Sequence, residues 1–440
     1  MKSKTVSNIF FLVSSFYINT SIASTENASF VHVDSDYSYK MLDPTTNITK
    51  KQLFLLNHKD DYLAPNSLYL GASSTIIADM QSSSIDSKFS WLMRHPTSNN
   101  QVGKKASEAV IHSAQVHFSG ALTPWLTSYT EILYDPEQSF GAGNITGLAR
   151  NQLQLRKGYV LLGNKDCSHF YASVGKQDVP FGLMDTVSPF TASTVWHAFG
   201  ALAYSAILGV NYNGLNASFT PIQGGAQFRA ANTPVNGTNV PSRVNNYAAD
   251  VNYTGKLPNS NKEYVLGVSF IKGSAYNQDF PVTHFSPGKT HNSAFDVYGK
   301  LDIDNFTIIA EFARTKRVWP GTQNPNPPLN VFTASKVEAL NAGVSYTFQN
   351  MVDNNPLTLS AEFSRFKAGP SGAPWERQSQ LTFGVAYKPQ ENVKFFAEVL
   401  SLTGYAPLNF ISGQTATSTT THSDRHVKTK VAVIGVQASI

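Results

Sequence analysis

One cysteine, Cys167, stands in 440 residues. That excludes an internal disulfide framework and any two-cysteine metal site. Charge is scarce as well. Charged residues make up 14% of the chain, against roughly 25% in ordinary soluble domains. The net charge of +5 is small for this length, so no nucleic-acid partner is expected. No run of ~18 apolar residues follows the N-terminal region, so no helix is expected to cross a membrane. The motifs GxSxG and HExxH and the P-loop are missing. An enzyme is therefore not expected, and no cofactor or metal is called for. His112 and His117 are five apart, which on a regular strand puts them on opposite faces. Cys167, between Asp166 and Ser168, reads as a solvent-facing turn residue.

What is present begins with an address. Lys2 and Lys4 precede an apolar stretch from Ile9 to Ile18, and Ser21-Ile22-Ala23 follows with small residues at both ends. This is the order of a secretory signal peptide, expected over 1–23. Residues 24–65 are expected to form a periplasmic N-terminal segment. A short helix is allowed between Lys50 and Leu63, and a pore plug or a subunit contact remains open as its role.

From residue 66 onward apolar and polar residues alternate. Sixteen such segments fall near 68–80, 109–121, 126–135, 149–162, 169–178, 203–212, 215–222, 245–254, 263–273, 293–302, 306–315, 336–348, 357–367, 378–388, 393–402 and 427–440. In one of them Leu153, Leu155, Tyr159 and Leu161 are expected on one face, with Gln152, Gln154 and Arg156 on the other. Short joints, such as Asn213-Gly214, alternate with long loops. The joint at 349–356 is expected to be somewhat longer than the tightest. Short turns on one rim and long loops on the other are the asymmetry of an outer-membrane barrel. The fold expected over 66–440 is all-β, a transmembrane antiparallel β-barrel of about sixteen strands. Tyr134, Tyr159, Tyr253, Tyr346 and Tyr387, near strand ends, suit either interfacial girdles or ordinary strand positions. Ile440 departs from the aromatic residue that ends many such barrels.

Four strands carry a repeat. Leu126, Phe306, Leu357 and Val393 are each followed five residues later by Glu131, Glu311, Glu362 and Glu398. An odd separation places the two residues on opposite faces, so the glutamates face the lumen if the apolar residues face lipid. Glu131, Glu311, Glu362, Glu398, Arg156, Gln152 and Gln154 are thus the expected pore-lining residues. Clustered carboxylates favour cations, unless they serve as salt-bridged braces. The loop at 179–202 is unusually apolar, with Phe181, Asp185, Phe190, Trp196, His197 and Phe199. Such a loop either folds inward as a constriction, with Asp178 or Asp185 opposing Arg156, or packs on a neighbouring subunit or the outer leaflet.

Three stretches carry a resemblance. Leu63-Ala64-Pro65-Asn66-Ser67-Leu68-Tyr69-Leu70-Gly71, Tyr134-Asp135-Pro136-Glu137 and Gly175-Lys176-Gln177-Asp178-Val179-Pro180-Phe181-Gly182 resemble the LbtU-type siderophore porins associated with Legionella and its relatives. The likeness runs from about residue 60 to the end. It implies a sixteen-strand barrel that takes up an iron–siderophore complex with no separate plug domain. The lysine-x-aspartate-x-proline-phenylalanine-glycine segment is also similar to phosphate-selective and related porins.

Three readings follow. The first is a siderophore-uptake barrel in the bacterial outer membrane. The second is a general or weakly cation-selective diffusion porin for small solutes. The third is a secreted all-β enzyme, which lacks any catalytic constellation. The first two carry as expected partners outer-membrane lipid and lipopolysaccharide, the barrel-assembly machinery, and two further copies in a homotrimer.

Overall fold

The computed structural model describes residues 30–56, 63–87, 103–134, 153–223, 244–257, 262–276, 291–406, 421 and 423–440. The strands are β1 (Val31–Val33), β2 (Ser67–Ser87), β3 (Gly103–Thr123), β4 (Leu126–Tyr134), β5 (Leu153–Gly163), β6 (Phe170–Asp178), β7 (Leu202–Tyr212), β8 (Leu215–Gln223) and β9 (Val244–Lys256). They continue as β10 (Glu263–Ile271), β11 (Ala294–Ile303), β12 (Phe306–Thr315), β13 (Glu338–Val352), β14 (Asn355–Lys367), β15 (Arg377–Gln390), β16 (Val393–Tyr405) and β17 (Asp424–Ser439). From β2 to β17 each strand pairs antiparallel with the next, and β17 pairs with β2 from Ser439↔Ser73 to Thr429↔Ser83. The sheet therefore closes, and all sixteen expected strands are in it. Closure satisfies the backbone groups that hydrocarbon cannot.

The period-two pattern sets which face is wet. Outward residues such as Ile76, Met80, Val160, Leu208 and Val297 are exposed, while their neighbours in sequence are buried. An apolar outer band on a closed barrel is an outer-membrane architecture. Among the described residues no helix is long and apolar enough to cross a membrane. Trp125, Phe170, Tyr212, Tyr253, Phe306 and Phe395 are exposed beside the short turns, where a girdle would lie. Tyr159 does not join them, since it is buried inside. The joint between β13 and β14 is tighter than expected. It is Asp353-Asn354, with φ of 48° and 63°, the left-handed pair that a two-residue hairpin favours.

Two bulges correct the sequence reading. In β5 the register against β4 slips between Glu131↔Lys157 and Ile132↔Leu155, leaving Arg156 extra. A bulge flips the parity beyond it. Leu153 and Leu155 face outward, whereas Tyr159 and Leu161 are buried within, so the four do not share a face. In β3 the slip between Thr75↔Ser113 and Ile76↔Ile111 leaves His112 extra. His112 and His117 consequently both point inward and are buried.

Residues 34–56 of the N-terminal stretch lie inside the barrel, against the lumen wall. Helix α1 (Ser35–Leu42) is started by Asp34, whose side chain accepts the Tyr37 N–H, and braced by the Lys40–Asp36 pair at 2.6 Å. Tyr37 Oη donates to Ser119 at 2.8 Å, and Ser38 meets His117 at 3.1 Å. A Cβ at Gly71 would collide with Ser38 and His117, so that glycine makes the seat. Helix α2 (Lys51–Leu55) is shorter than the expected 50–63 range, and 57–62 lie outside the described residues. Tyr37, Met41, Leu55 and Leu56 pack with Tyr69, Tyr129, Tyr159 and Leu161 of the wall. Burying these side chains against the aromatic lumen wall draws the segment inward. Residues 1–29, including the expected signal peptide, lie outside the described residues.

Candidate functional site: the filled lumen

The repeated glutamates all point inward and are buried. Three of them hold one loop. Glu311 on β12 accepts the N–H groups of Leu183 at 2.7 Å and Met184 at 3.1 Å. Glu362 on β14 accepts the Thr186 hydroxyl at 2.7 Å and the Val187 N–H at 2.8 Å. Glu398 on β16 accepts the Phe190 N–H at 2.8 Å, the Thr191 N–H at 3.0 Å and the Thr191 hydroxyl at 2.5 Å. The loop after β6 is thus fastened along the inner wall, carboxylate by carboxylate, on every second strand.

Glycines between these strands make room for it. A Cβ at Gly343 on β13 would strike Val187, and one at Gly384 on β15 would strike Pro189. Inward glycine in a strand marks a close approach of other chain. The sequence carried this signal, but the reading of it missed these two residues.

All six residues singled out in the loop lie within the barrel. Phe181, Asp185, Phe190, His197 and Phe199 are buried, and Trp196 is half-buried. Ser193 caps the short helix α3 (Thr194–Phe199) through the Trp196 N–H. Phe190 stacks on Phe396 at 5.1 Å and meets the edge of His112 at 4.8 Å. Asp185 accepts the Ile48 N–H at 3.3 Å, and the Thr186 N–H donates to the Thr45 carbonyl at 3.0 Å. The loop and the N-terminal segment therefore touch each other across the lumen.

Glu131 has a different role from its three counterparts. It accepts from Tyr129 Oη at 3.0 Å and lies 3.8 Å from Arg156 and 3.7 Å from Lys157. Lys157 pairs with Asp178 at 2.6 Å. Of the two acids expected to oppose Arg156, Asp178 pairs with Lys157, which the β5 bulge turns inward, and Asp185 accepts the Ile48 N–H. Arg156 Nη1 is buried with no hydrogen-bond partner, beside a cavity of about 90 Å³ shared by Glu131, Asp178 and His112. Gln154 lies on the same inner stretch of wall, and Gln152 is outside the described residues. Among the described residues no group of three or more potential metal ligands assembles.

The end with the long loops is filled by an apolar layer. Wall alanines Ala203, Ala248, Ala294, Ala313 and Ala339 leave space into which Tyr276, Trp319, Phe366 and Trp375 pack, all nearly fully buried. Trp375 Nε1 donates to the Thr322 carbonyl at 2.8 Å, tying the loop after β14 to the loop after β12. This layer encloses Phe181, Met184 and Phe199 from above.

At the end with the short turns an open pocket of about 730 Å³ remains. Its walls are α1, the loop at 185–189, and β11 to β16. Lys388 lies over the Tyr39 ring at 4.3 Å, and Lys394 donates to the Pro189 carbonyl at 2.8 Å. Burial raises the pKa of the Asp43 carboxyl, but Lys394, Lys51 and the Thr45 donors outweigh it and hold that carboxyl below its ordinary range. The pocket is lined by Asp36, Asp43, Asp185 and Glu391 against Lys40, Lys300, Lys388 and Lys394. Its charge is balanced, and its size falls within the ~300–1,000 Å³ of small-molecule sites.

No family model matches the chain. A protein of Coxiella burnetii described as a UPF0422 protein is 30% identical over 217 residues, which cover 46% of this chain and 42% of that relative. The match thus spans less than half the length of the curated relative. Among solved structures, an anion-selective porin from Comamonas acidovorans superposes with a TM-score of 0.51 at 11% identity, covering 85% of this chain and 99% of that one. OprB of Pseudomonas putida gives 0.52 at 9% identity, covering 84% and 94%. These comparisons do not identify the LbtU-type family that the sequence motifs resemble. What they share with that expectation is the barrel: the chain has the sixteen-strand antiparallel fold of outer-membrane porins.

Proposed function

We propose that the protein is a gated outer-membrane channel for a small solute. An iron–siderophore complex, implied by the sequence resemblance, is the first ligand to test. The carrying observation is that two segments of the chain, 34–56 and 179–199, occupy a lumen that sixteen strands would otherwise leave wide. A pocket of ligand size remains beside them. A solute reaches the periplasm in this reading only when one or both segments move. The segment 34–56 acts as the plug without being a separate domain. A freely open porin whose glutamates set cation preference is the weaker reading, because Glu311, Glu362 and Glu398 are engaged by the loop backbone. Assembly by the barrel-assembly machinery, standing as a homotrimer in lipopolysaccharide-bearing membrane, belongs to the same proposal.

Planar-bilayer conductance of the refolded chain is the test. The intact protein should show small or infrequent openings, and removal of 30–56 should give larger, steady steps. Ferric siderophore should alter the openings of the intact chain. Large steady conductance from the intact chain, unchanged by the deletion, would overturn the gated reading. Indifference to siderophores would move the search to other solutes of the same size.

A further inference from the structure

The outer wall carries a second feature, independent of the channel. On β17, β2 and β3 the outward residues Lys430, Ser82 and Lys105 stand directly opposite one another in register. All three are exposed. Among the described residues neither lysine forms an ion pair. An equivalent row lies on β12, β13 and β14, where Arg314, Glu338 and Lys367 are opposite one another. There the central glutamate meets Arg314 at 3.3 Å and Lys367 at 3.5 Å. The two rows share one pattern, cation–centre–cation, but the first has serine where the second has its carboxylate. Two ammonium groups about 10 Å apart at their strands therefore flank a hydroxyl, with no carboxylate paired to them among the described residues.

Their height fits a membrane boundary. Outward residues of β2 run from Leu70 to Met80 before reaching Ser82. Ten residues at ~3.4 Å each, tilted by roughly 40°, rise about 25 Å, which is the height of the apolar band. The row thus sits just past hydrocarbon, on the long-loop side. Directly below it a groove of about 840 Å³ is lined by Met80, Phe383 and Val399, with the small Ser107 and Ala432 as its floor.

We propose that this groove binds one acyl lipid of the outer leaflet through its phosphorylated headgroup. The phosphate lies over Ser82 between Lys105 and Lys430, and an acyl chain lies against the row beneath it, over Ala432 between Met80 and Val399. Lysine stems reach along the apolar wall while their ammonium groups stay at the interface. Charge selects the occupant. A phosphate supplies the negative centre that Glu338 supplies in the other row. Among the described residues, Glu338, the carboxylate of the matching row that a second copy could offer, is already shared by two cations.

Native mass spectrometry of the full chain in detergent, titrated with bisphosphorylated lipid A and with the same lipid after dephosphorylation, tests this. The phosphorylated form should bind as one lipid per barrel, and the dephosphorylated form far more weakly. Lysine near a membrane surface is worth about fivefold in binding, so K105Q/K430Q should weaken it by roughly 25-fold. Ser82→Glu should weaken it as much, by supplying the missing carboxylate from within. R314Q/K367Q, on the paired row, should leave it unchanged, and heat-modifiable gel migration checks that each variant is folded. Equal affinity for the dephosphorylated lipid in the unaltered protein would overturn the proposal. So would undiminished binding by K105Q/K430Q. Protection of Lys105 and Lys430 from amine modification in a lipid-free oligomer would also overturn it, by assigning the groove to a second copy.

Discussion

Replacing Glu398 by alanine should release the loop from the wall at one end. Glu398 accepts from two backbone N–H groups, those of Phe190 and Thr191, and from the Thr191 hydroxyl. The hydroxyl can rotate to another acceptor, but the two amides cannot. A buried donor left without an acceptor costs about 1–3 kcal/mol, so the pair costs about 2–6 kcal/mol. Water entering the space left by the carboxylate recovers part of that, and the low end is expected. At 1.4 kcal/mol per tenfold, 2 kcal/mol raises the open population by roughly 30-fold. Hydrogen–deuterium exchange at residues 183–191 reads this directly, with the amides of Phe190 and Thr191 accelerating most. Glu398→Ala together with Glu362→Ala should exceed the sum of the single effects, because both hold one segment. Exchange at Phe190 and Thr191 within about threefold of the unaltered chain would refute the fastening role. A folded variant in which only distant strands accelerate would refute it as well.

Gly71→Val should unseat α1 while leaving β2 intact, since valine suits a strand but its Cβ collides with Ser38 and His117. Trypsin cleavage after Lys40 or Lys51 should quicken severalfold, and unchanged cleavage would show that α1 is not seated there. Trp375→Ala removes a fully buried ring and should destabilise the loop layer by about 3–5 kcal/mol, read as faster proteolysis between 316 and 335. Glu376 lies in the loop after β14. The Gly372 N–H, opposed by burial and aided by Arg425, holds its carboxyl below the ordinary range. A lowered folded pKa contributes stability that is present above the unfolded value, near ~4.3, and is lost as pH falls through the folded one. Exchange in 368–376 should therefore rise on acidification below about pH 4, and Glu376→Gln should remove that dependence.

The strands were legible because each one buries a single face, and the register slips in β13, β15 and β16 fall near strand ends, leaving the alternation in their middles intact. The glutamate repeat was legible in position and in direction. Its partners were not, because a loop more than a hundred residues away supplies the donors to Glu311, and no local pattern encodes that pairing. The shared face of Leu153, Leu155, Tyr159 and Leu161 and the opposite faces of His112 and His117 were misread for one physical reason. A bulge adds a single residue to one strand, and its evidence lies in the partner's register, not in the strand's own sequence. Residues 34–56 have no sustained period. They read as a periplasmic segment because their apolar side chains, Tyr37, Met41, Leu55 and Leu56, find their surface only after the barrel has closed.

Strand β1 pairs in parallel with β2, Val31 opposite Leu68 and Val33 opposite Leu70. It covers the stretch of β2 that extends beyond the last β17 pairing at Ser73. The segment between the two is thus stapled to one strand at both ends, a closed loop of chain rooted at the rim. If it swings out while β1 holds, it remains on a tether of about 33 residues, whose mean reach is roughly 30 Å. Return to the lumen is then an intramolecular event at an effective concentration on the order of millimolar. Reclosure becomes a property of each barrel alone, equally fast in a crowded membrane and in a single reconstituted channel.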